Sequence, residues 1–161
     1  MAEFHRHQFL PSLFLLFALT AACNRISELT PEALRDAEAR WEKAGPPSYR
    51  MAVETDSDRM EPSKYEVTVR AKQIVKLERN GVALEPEAGS SSYTVEGLFH
   101  TMDQEIDLAT KPQLLGAPPG YSSYPMASFD AETGRLLRFQ RSVGGTKNNI
   151  EIKVSRFEVL P

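Results

Sequence analysis

The chain has 161 residues, 41% of them hydrophobic and 25% charged, with a formal net charge of −3. That balance belongs to an ordinary globular domain and excludes a disordered or collagenous chain, and it lacks the basic field that nucleic-acid binding requires. The single cysteine excludes an internal disulfide or a multi-cysteine zinc site, and His100 is the one histidine beyond the first ten residues, which argues against a multi-histidine metal centre.

The first eight residues are polar, with Arg6 offset by Glu3. Setting aside residues 1–22 removes these two charges and leaves the net charge unchanged. An apolar stretch runs from Phe9 to Ala22, densest over Leu13–Leu19, and ends in the small residues Thr20-Ala21-Ala22 before Cys23. A polar start, an apolar middle and small residues before a cut are the order of a secretory signal. Its 14 residues, with Pro11 and Ser12 among them, fall short of the roughly 20 that cross a bilayer as a helix.

Leu19-Thr20-Ala21-Ala22-Cys23 resembles a bacterial lipobox, with Thr20 where leucine is commoner. The resemblance implies that a thiol at this one position takes a diacylglycerol, that the signal peptide 1–22 is cut off before Cys23, and that the new amine is acylated, palmitate being a common chain. Each buried methylene contributes about 0.8 kcal/mol, so two or more chains hold a protein on a membrane stably. Asn24 rather than aspartate follows the cysteine, which by analogy predicts the outer membrane, facing the periplasm, if the host is Gram-negative. Residues 23–29 are expected to be the lipidated cysteine and a polar tether.

Thr30-Pro31-Glu32 predicts a helix start, with threonine as the cap, proline in the first turn and an acid beside the positive end of the dipole. Leu34, Ala37, Trp41 and Ala44 form one apolar stripe, and Gly45-Pro46-Pro47 stops the helix. Period two then takes over at Tyr49, Met51, Val53 and Thr55, and again at Tyr65, Val67 and Val69, with 56–63 expected as a loop. Residues 73–79 form a third strand, Asn80-Gly81 a turn and 85–92 a loop. Thr94-Val95-Glu96 opens a second helix with the stripe Phe99, Met102, Ile106 and Ala109, flanked by Leu98 and Glu105. Strands follow at 124–130, 135–142 and from Ile150, where a change of phase predicts a bulge near Ser155.

The expected class is α+β. It consists of an N-terminal helix and then βββαβββ, with both helices on one face of an antiparallel sheet and residues 30–161 as a single domain. Trp41, Tyr49, Tyr65, Phe99, Phe129, Phe139 and Phe157 are expected to supply much of the core.

Arg40-Trp41-Glu42 with Pro47-Ser48-Tyr49-Arg50, Tyr65–Arg70, Thr94–Phe99, and Tyr124-Pro125 with Ser128-Phe129-Asp130 resemble the markers of a domain family of bacterial secreted proteins and lipoproteins. The likeness covers residues 33–158. It implies the fold and the location, because that family has no established activity. Many members carry a Cys-x-Cys after the first strand, where this chain has Glu54-Thr55-Asp56-Ser57-Asp58. Any redox or metal role of those cysteines is therefore absent here.

Several residues are candidates for chemistry. Asp56, Asp58 and Glu61 gather carboxylates, but lack the glycine and the twelfth-position acid of a calcium loop. His100 with Ser90, Ser91 or Ser92 and Asp103 has the residue types of a nucleophilic triad without a nucleophile elbow. Glu96, Asp103 and Asp107 share a helical face, and paired acids do acid–base work only in a pocket that separates their pKa values. Arg135, Arg138 and Arg141 alternate faces of a strand and read as surface and edge-strand charge. Tyr121 and Tyr124, after Pro118-Pro119-Gly120, make an aromatic loop suited to contacting a partner or to capping the sheet.

These features predict a lipid-anchored protein of the bacterial cell envelope, held to the membrane at Cys23, whose domain binds an envelope protein and is not an enzyme. No cofactor, metal or nucleic acid is expected, and the oligomeric state is not specified by the sequence. Alternatives are a domain that binds a small ligand between helices and sheet, or an envelope hydrolase acting through His100 or a carboxylate pair.

Overall fold

A computed structural model describes residues 25–85 and 90–161. In chain order the elements are β1 (Ser27–Glu28), α1 (Pro31–Ala44), β2 (Tyr49–Ser57), β3 (Met60–Arg70), β4 (Gln73–Arg79), β5 (Val82–Leu84), α2 (Val95–Ala109), β6 (Ser123–Phe129), β7 (Leu136–Val143) and β8 (Ile150–Val159). The class is α+β, with the strands in one antiparallel eight-stranded sheet of order β1-β6-β7-β8-β2-β3-β4-β5.

Two strands of that sheet are missing from the sequence-based order. β1 pairs Ser27 with Ala127 at one edge, so residues assigned to the tether belong to the sheet. β5 pairs Val82 with Arg79 at the other edge, through the Asn80-Gly81 turn, where both residues have positive φ. Two or three residues are too few to display a period, which is why neither strand is legible in the pattern. The expected 56–63 loop is also mostly strand. Ser57 Oγ accepts the backbone N–H of Met60 at 3.1 Å, which closes a tight hairpin. A register shift between Thr55 and Ser57 admits Pro62 opposite, as a bulge admits a residue that cannot donate.

Local chemistry sets the helices. Thr30 Oγ1 accepts the N–H of Ala33 at 3.1 Å, and Thr94 Oγ1 accepts that of Gly97 at 3.0 Å. Such caps contribute about 1 kcal/mol each. Leu34, Ala37 and Trp41 of α1, and Val95, Leu98, Phe99 and Met102 of α2, enter one core cluster with one face of the sheet. That face presents Tyr49, Met51 and Val53 of β2, which meet Val69, Val67 and Tyr65 of β3. Of the seven expected core aromatics, Trp41, Tyr49, Phe99 and Phe139 are buried, and Tyr65, Phe129 and Phe157 are half-buried against the cluster. The buried face of α2 is rotated from the expected stripe: Leu98 and Glu105 are buried, and Ile106 and Ala109 only partly so.

β2 pairs with β8 in a register that shifts between Ala52, opposite Arg156, and Val53, opposite Val154. Ser155 is the extra residue, where the change of phase predicts a bulge.

The turn from β6 to β7 locks onto α1. Gly134 has φ of 78°, and a Cβ there would lie 2.0 Å from the carbonyl oxygen of Ala37. Gly134→Ala is expected to destabilise the fold by about 1–3 kcal/mol from backbone strain and by more from the collision. Gly81→Ala, with similar φ and open space around it, isolates the backbone part. Urea denaturation of both variants checks the difference.

In the same turn Asp130 Oδ1 accepts from the N–H and hydroxyl of Thr133 at 2.8 and 2.7 Å. Partial burial alone would raise this carboxyl, but the Thr133 bonds and the Arg135 charge outweigh it and hold it below the usual aspartate range. A carboxyl lowered in the folded state stabilises above the unfolded pKa of about 3.9 and loses that contribution as pH falls through the folded value. Asp130→Asn is therefore expected to be less stable than the natural chain at neutral pH, with the gap closing below about pH 4. Urea melts at the two pH values measure it.

Candidate functional site

The helix-facing side of the sheet differs at its two ends. At the end where β2 begins, it is sealed. The Tyr49 hydroxyl donates to Glu96 Oε2 at 3.2 Å and accepts the N–H of Val95 at 3.1 Å, while Trp41 Nε1 donates to Glu96 Oε1 at 2.9 Å. Burial and the facing Glu96 carboxylate hold the Tyr49 hydroxyl well above the ordinary tyrosine range, against the opposing pull of the Val95 N–H. It stays a protonated donor. Phe157 stacks on Tyr49 at 5.2 Å between centroids, and the Arg135 guanidinium lies 4.8 Å over the other aromatic partner in this set, Phe157.

At the opposite end, where β2 finishes and β8 begins, a groove of about 300 Å³ opens between the strands and α2. Val53, Ile150 and Ile152 line it from the strands, and Leu98 and Thr101 from α2. Tyr65 and Tyr93 form one wall, stacked with centroids 3.6 Å apart and ring planes 13° from parallel. Burial, followed by the neighbouring Tyr65 hydroxyl, raises the Tyr93 hydroxyl above its ordinary value, so it is a proton donor and not a base. Arg79 lies 5.7 Å from the Tyr65 ring centre and donates through Nε and Nη2 to Ser63 Oγ at 3.3 and 3.0 Å. Thr55, Asp56, Ser57, Met60, Glu61 and Ser92 complete the lining.

A wider hollow of about 440 Å³ lies against Glu54, Lys64, Glu151 and Lys153. Its charges face one another across strands, Glu54 opposite both Lys64 and Lys153. Neighbouring opposite charges in water satisfy each other, and Pro62 is the one apolar residue lining the hollow. The groove is the better candidate.

Below the groove α2 is fastened by a buried ion pair. Arg141 Nη1 reaches both oxygens of Glu105, at 2.7 and 2.8 Å, and each residue is 7% exposed. Arg141 Nη2 also donates to the carbonyl and side-chain oxygens of Asn148, both at 3.2 Å. This corrects the reading of Arg135, Arg138 and Arg141 as surface and edge-strand charge. β7 is an interior strand, and Arg141 points to the helix side, where Glu105 pays its desolvation. Arg138 does pair on the surface, with Glu151 at 2.9 Å, and Arg135 lies 3.6 Å from Asp130.

The other candidates are dispersed. His100 is exposed and meets Gln104 at 3.1 Å, and no hydrogen bond among the described residues joins it to Ser91, Ser92 or Asp103. Glu96 is engaged by Trp41 and Tyr49, whereas Asp103 and Asp107 are exposed. Asp58 accepts the N–H of Asn149 at 3.0 Å, apart from Glu61 in the groove. Among the described residues no three His, Cys, Asp or Glu side chains cluster to hold a metal ion, and no helix is long and apolar enough to cross a membrane. Tyr121 is 53% exposed and lies against Gly144 and Gly145, where a Cβ on Gly144 would come within 2.7 Å of its ring. Tyr124, 61% exposed, sits opposite Ser142 on β6. Leu19, Thr20, Ala21, Ala22 and Cys23 lie outside the described residues.

The groove pair Tyr65–Tyr93 is the feature that sequence reasoning missed. Tyr93 immediately precedes the cap Thr94, a position where an apolar residue often staples the chain to its surroundings, and that was the available signal.

No protein-family model matches the chain, and no curated protein is detectably similar to it.

Glu105→Leu leaves Arg141 buried without a counter-charge and is expected to cost about 3–5 kcal/mol of stability. Adding Arg141→Leu is expected to recover much of that loss, and urea denaturation of the single and double variants measures both steps.

Proposed function

We propose that this protein is a lipid-anchored component of the bacterial cell envelope whose domain is a binding module rather than an enzyme. The observation that carries the reading is the run from Leu19 to Cys23, a lipobox at the end of an apolar segment. The frame is read as that of the small secreted and lipoprotein domains, a helix followed by βββαβββ, with β1 and β5 added at the two edges.

The topology supports a particular presentation. β1 is an edge strand, and its Ser27 stands opposite Ala127, in line across β7 and β8 with Thr55 of β2. Cys23 precedes Ser27 by four residues, a reach of at most about 14 Å. The groove lies on β2, four strands in from that edge and so roughly 19 Å across the sheet at about 4.8 Å per strand. An anchor at Cys23 therefore holds the β1 edge of the sheet nearest the bilayer and leaves the groove, strands away from that edge, open to a partner.

A second reading, binding of a small ligand, is favoured by the groove itself, which combines an apolar floor with a few polar groups at its mouth. Envelope hydrolysis has less support, because His100 and the carboxylates Asp103 and Asp107 stand on the exposed side of α2.

Mass spectrometry of the mature N-terminal peptide tests the anchor. The expected product begins at Cys23 and carries diacylglycerol and acyl chains, and Cys23→Ser is expected to accumulate as uncut precursor. An unmodified cysteine, or an amino end elsewhere, overturns the anchored reading. A photo-crosslinker at Met60, compared with one at exposed Asp103, tests the presentation, with an envelope partner expected only from Met60.

A further inference from the structure

We infer that the groove between β2, β3, β8 and α2 binds a small zwitterion with an apolar body, in chemical class an apolar α-amino acid. This deepens the small-ligand reading above and rests on it. The floor is hydrocarbon: Val53 and Ile152 are buried, and Leu98 closes the side toward α2. Thr55 and Ser57 also line it, with their hydroxyls already engaged by Ser63 and Met60, so the floor favours an apolar group over a sugar hydroxyl that would lose its water there. A volume near 300 Å³ sits at the small end of ligand sites and limits the guest to a compact molecule.

The mouth carries both signs of charge. Arg79 is held in place by Ser63 and by the face of Tyr65, and among the described residues no carboxylate lies within ion-pair distance of it. A guanidinium has five N–H donors, and the bonds to Ser63 use two of them. The remainder suit a carboxylate. Glu61, two residues before Ser63 on β3, brings negative charge to the same opening.

Charge complementarity selects the guest. A simple anion pairs with Arg79 but is repelled by Glu61. A simple amine meets the reverse. A neutral hydrocarbon strips water from both charges and offers no polar group in exchange. A zwitterion satisfies both signs while its side chain occupies the apolar floor.

The test titrates the full mature protein in detergent with leucine, 4-methylpentanoate and 3-methylbutylamine, which share one apolar body and differ in charge. Calorimetry and the melting temperature are the readouts. Leucine is expected to bind and raise the melting temperature, with each single-charge analogue about tenfold or more weaker. Arg79→Gln is expected to remove leucine binding without lowering the unliganded melting temperature appreciably, because Arg79 is exposed. Glu61→Gln is expected to weaken leucine while strengthening 4-methylpentanoate, an inversion that a merely structural residue would not produce. No response to leucine, equal binding of the three compounds, or leucine binding unchanged by Arg79→Gln overturns the inference. If none of the three binds while the Met60 crosslinker captures an envelope protein, the amino-acid site is refuted and the binding-module reading stands.

Discussion

The fold hangs on the hydroxyl of Tyr49. A phenol buried among aromatic rings costs free energy unless both its hydrogen and its lone pairs are used. Here the hydrogen goes to Glu96 and a lone pair takes the first free N–H of α2, at Val95. The same carboxylate holds the indole of Trp41. One hydroxyl and one carboxylate thus join α1, the start of α2 and the central strand β2, and Phe157 brings in β8 by stacking. The acid also sits in the first turn of α2, where the helix dipole favours negative charge.

With its first turn pinned there, α2 crosses toward the other end of the sheet, and its landing point is equally specific. Glu105 faces the core instead of solvent, and only the guanidinium of Arg141 makes that tolerable. Asn148 ties the same arginine to the β7–β8 turn and, through its amide, to the carbonyl of Leu115 at 2.9 Å. The polar pair spans a position where a hydrocarbon contact would slide. Between the aromatic seal and this ion pair, α2 covers part of the sheet and leaves the remainder open as the groove. The groove is thus a consequence of where α2 is fastened, more than of any loop.

The sheet also separates two tasks in space. Its chain entry at the β1 edge and its groove on β2 lie four strands apart, so the attachment proposed at Cys23 does not compete with binding. Strand order sets that separation, and it would hold whatever the ligand is.

Local signals in the chain determined a good deal. Capping threonines, the Pro31 start, the Gly45-Pro46-Pro47 stop and the alternation in β2, β3 and β8 mark their elements because each depends on near neighbours in sequence. The bulge at Ser155 is legible for the same reason, as one change of phase within one strand. The proposed anchor at Cys23 is likewise a reading of contiguous residues. What the tertiary structure alone decided is every contact between distant residues: that Arg141 and Glu105, 36 positions apart, neutralise each other inside the domain, that Glu96 serves Trp41 and Tyr49, and that Tyr65 and Tyr93 stack to wall a groove. The residue types in those pairs are compatible with solvent or with burial, and a polar side chain's place depends on the partner that the fold delivers to it.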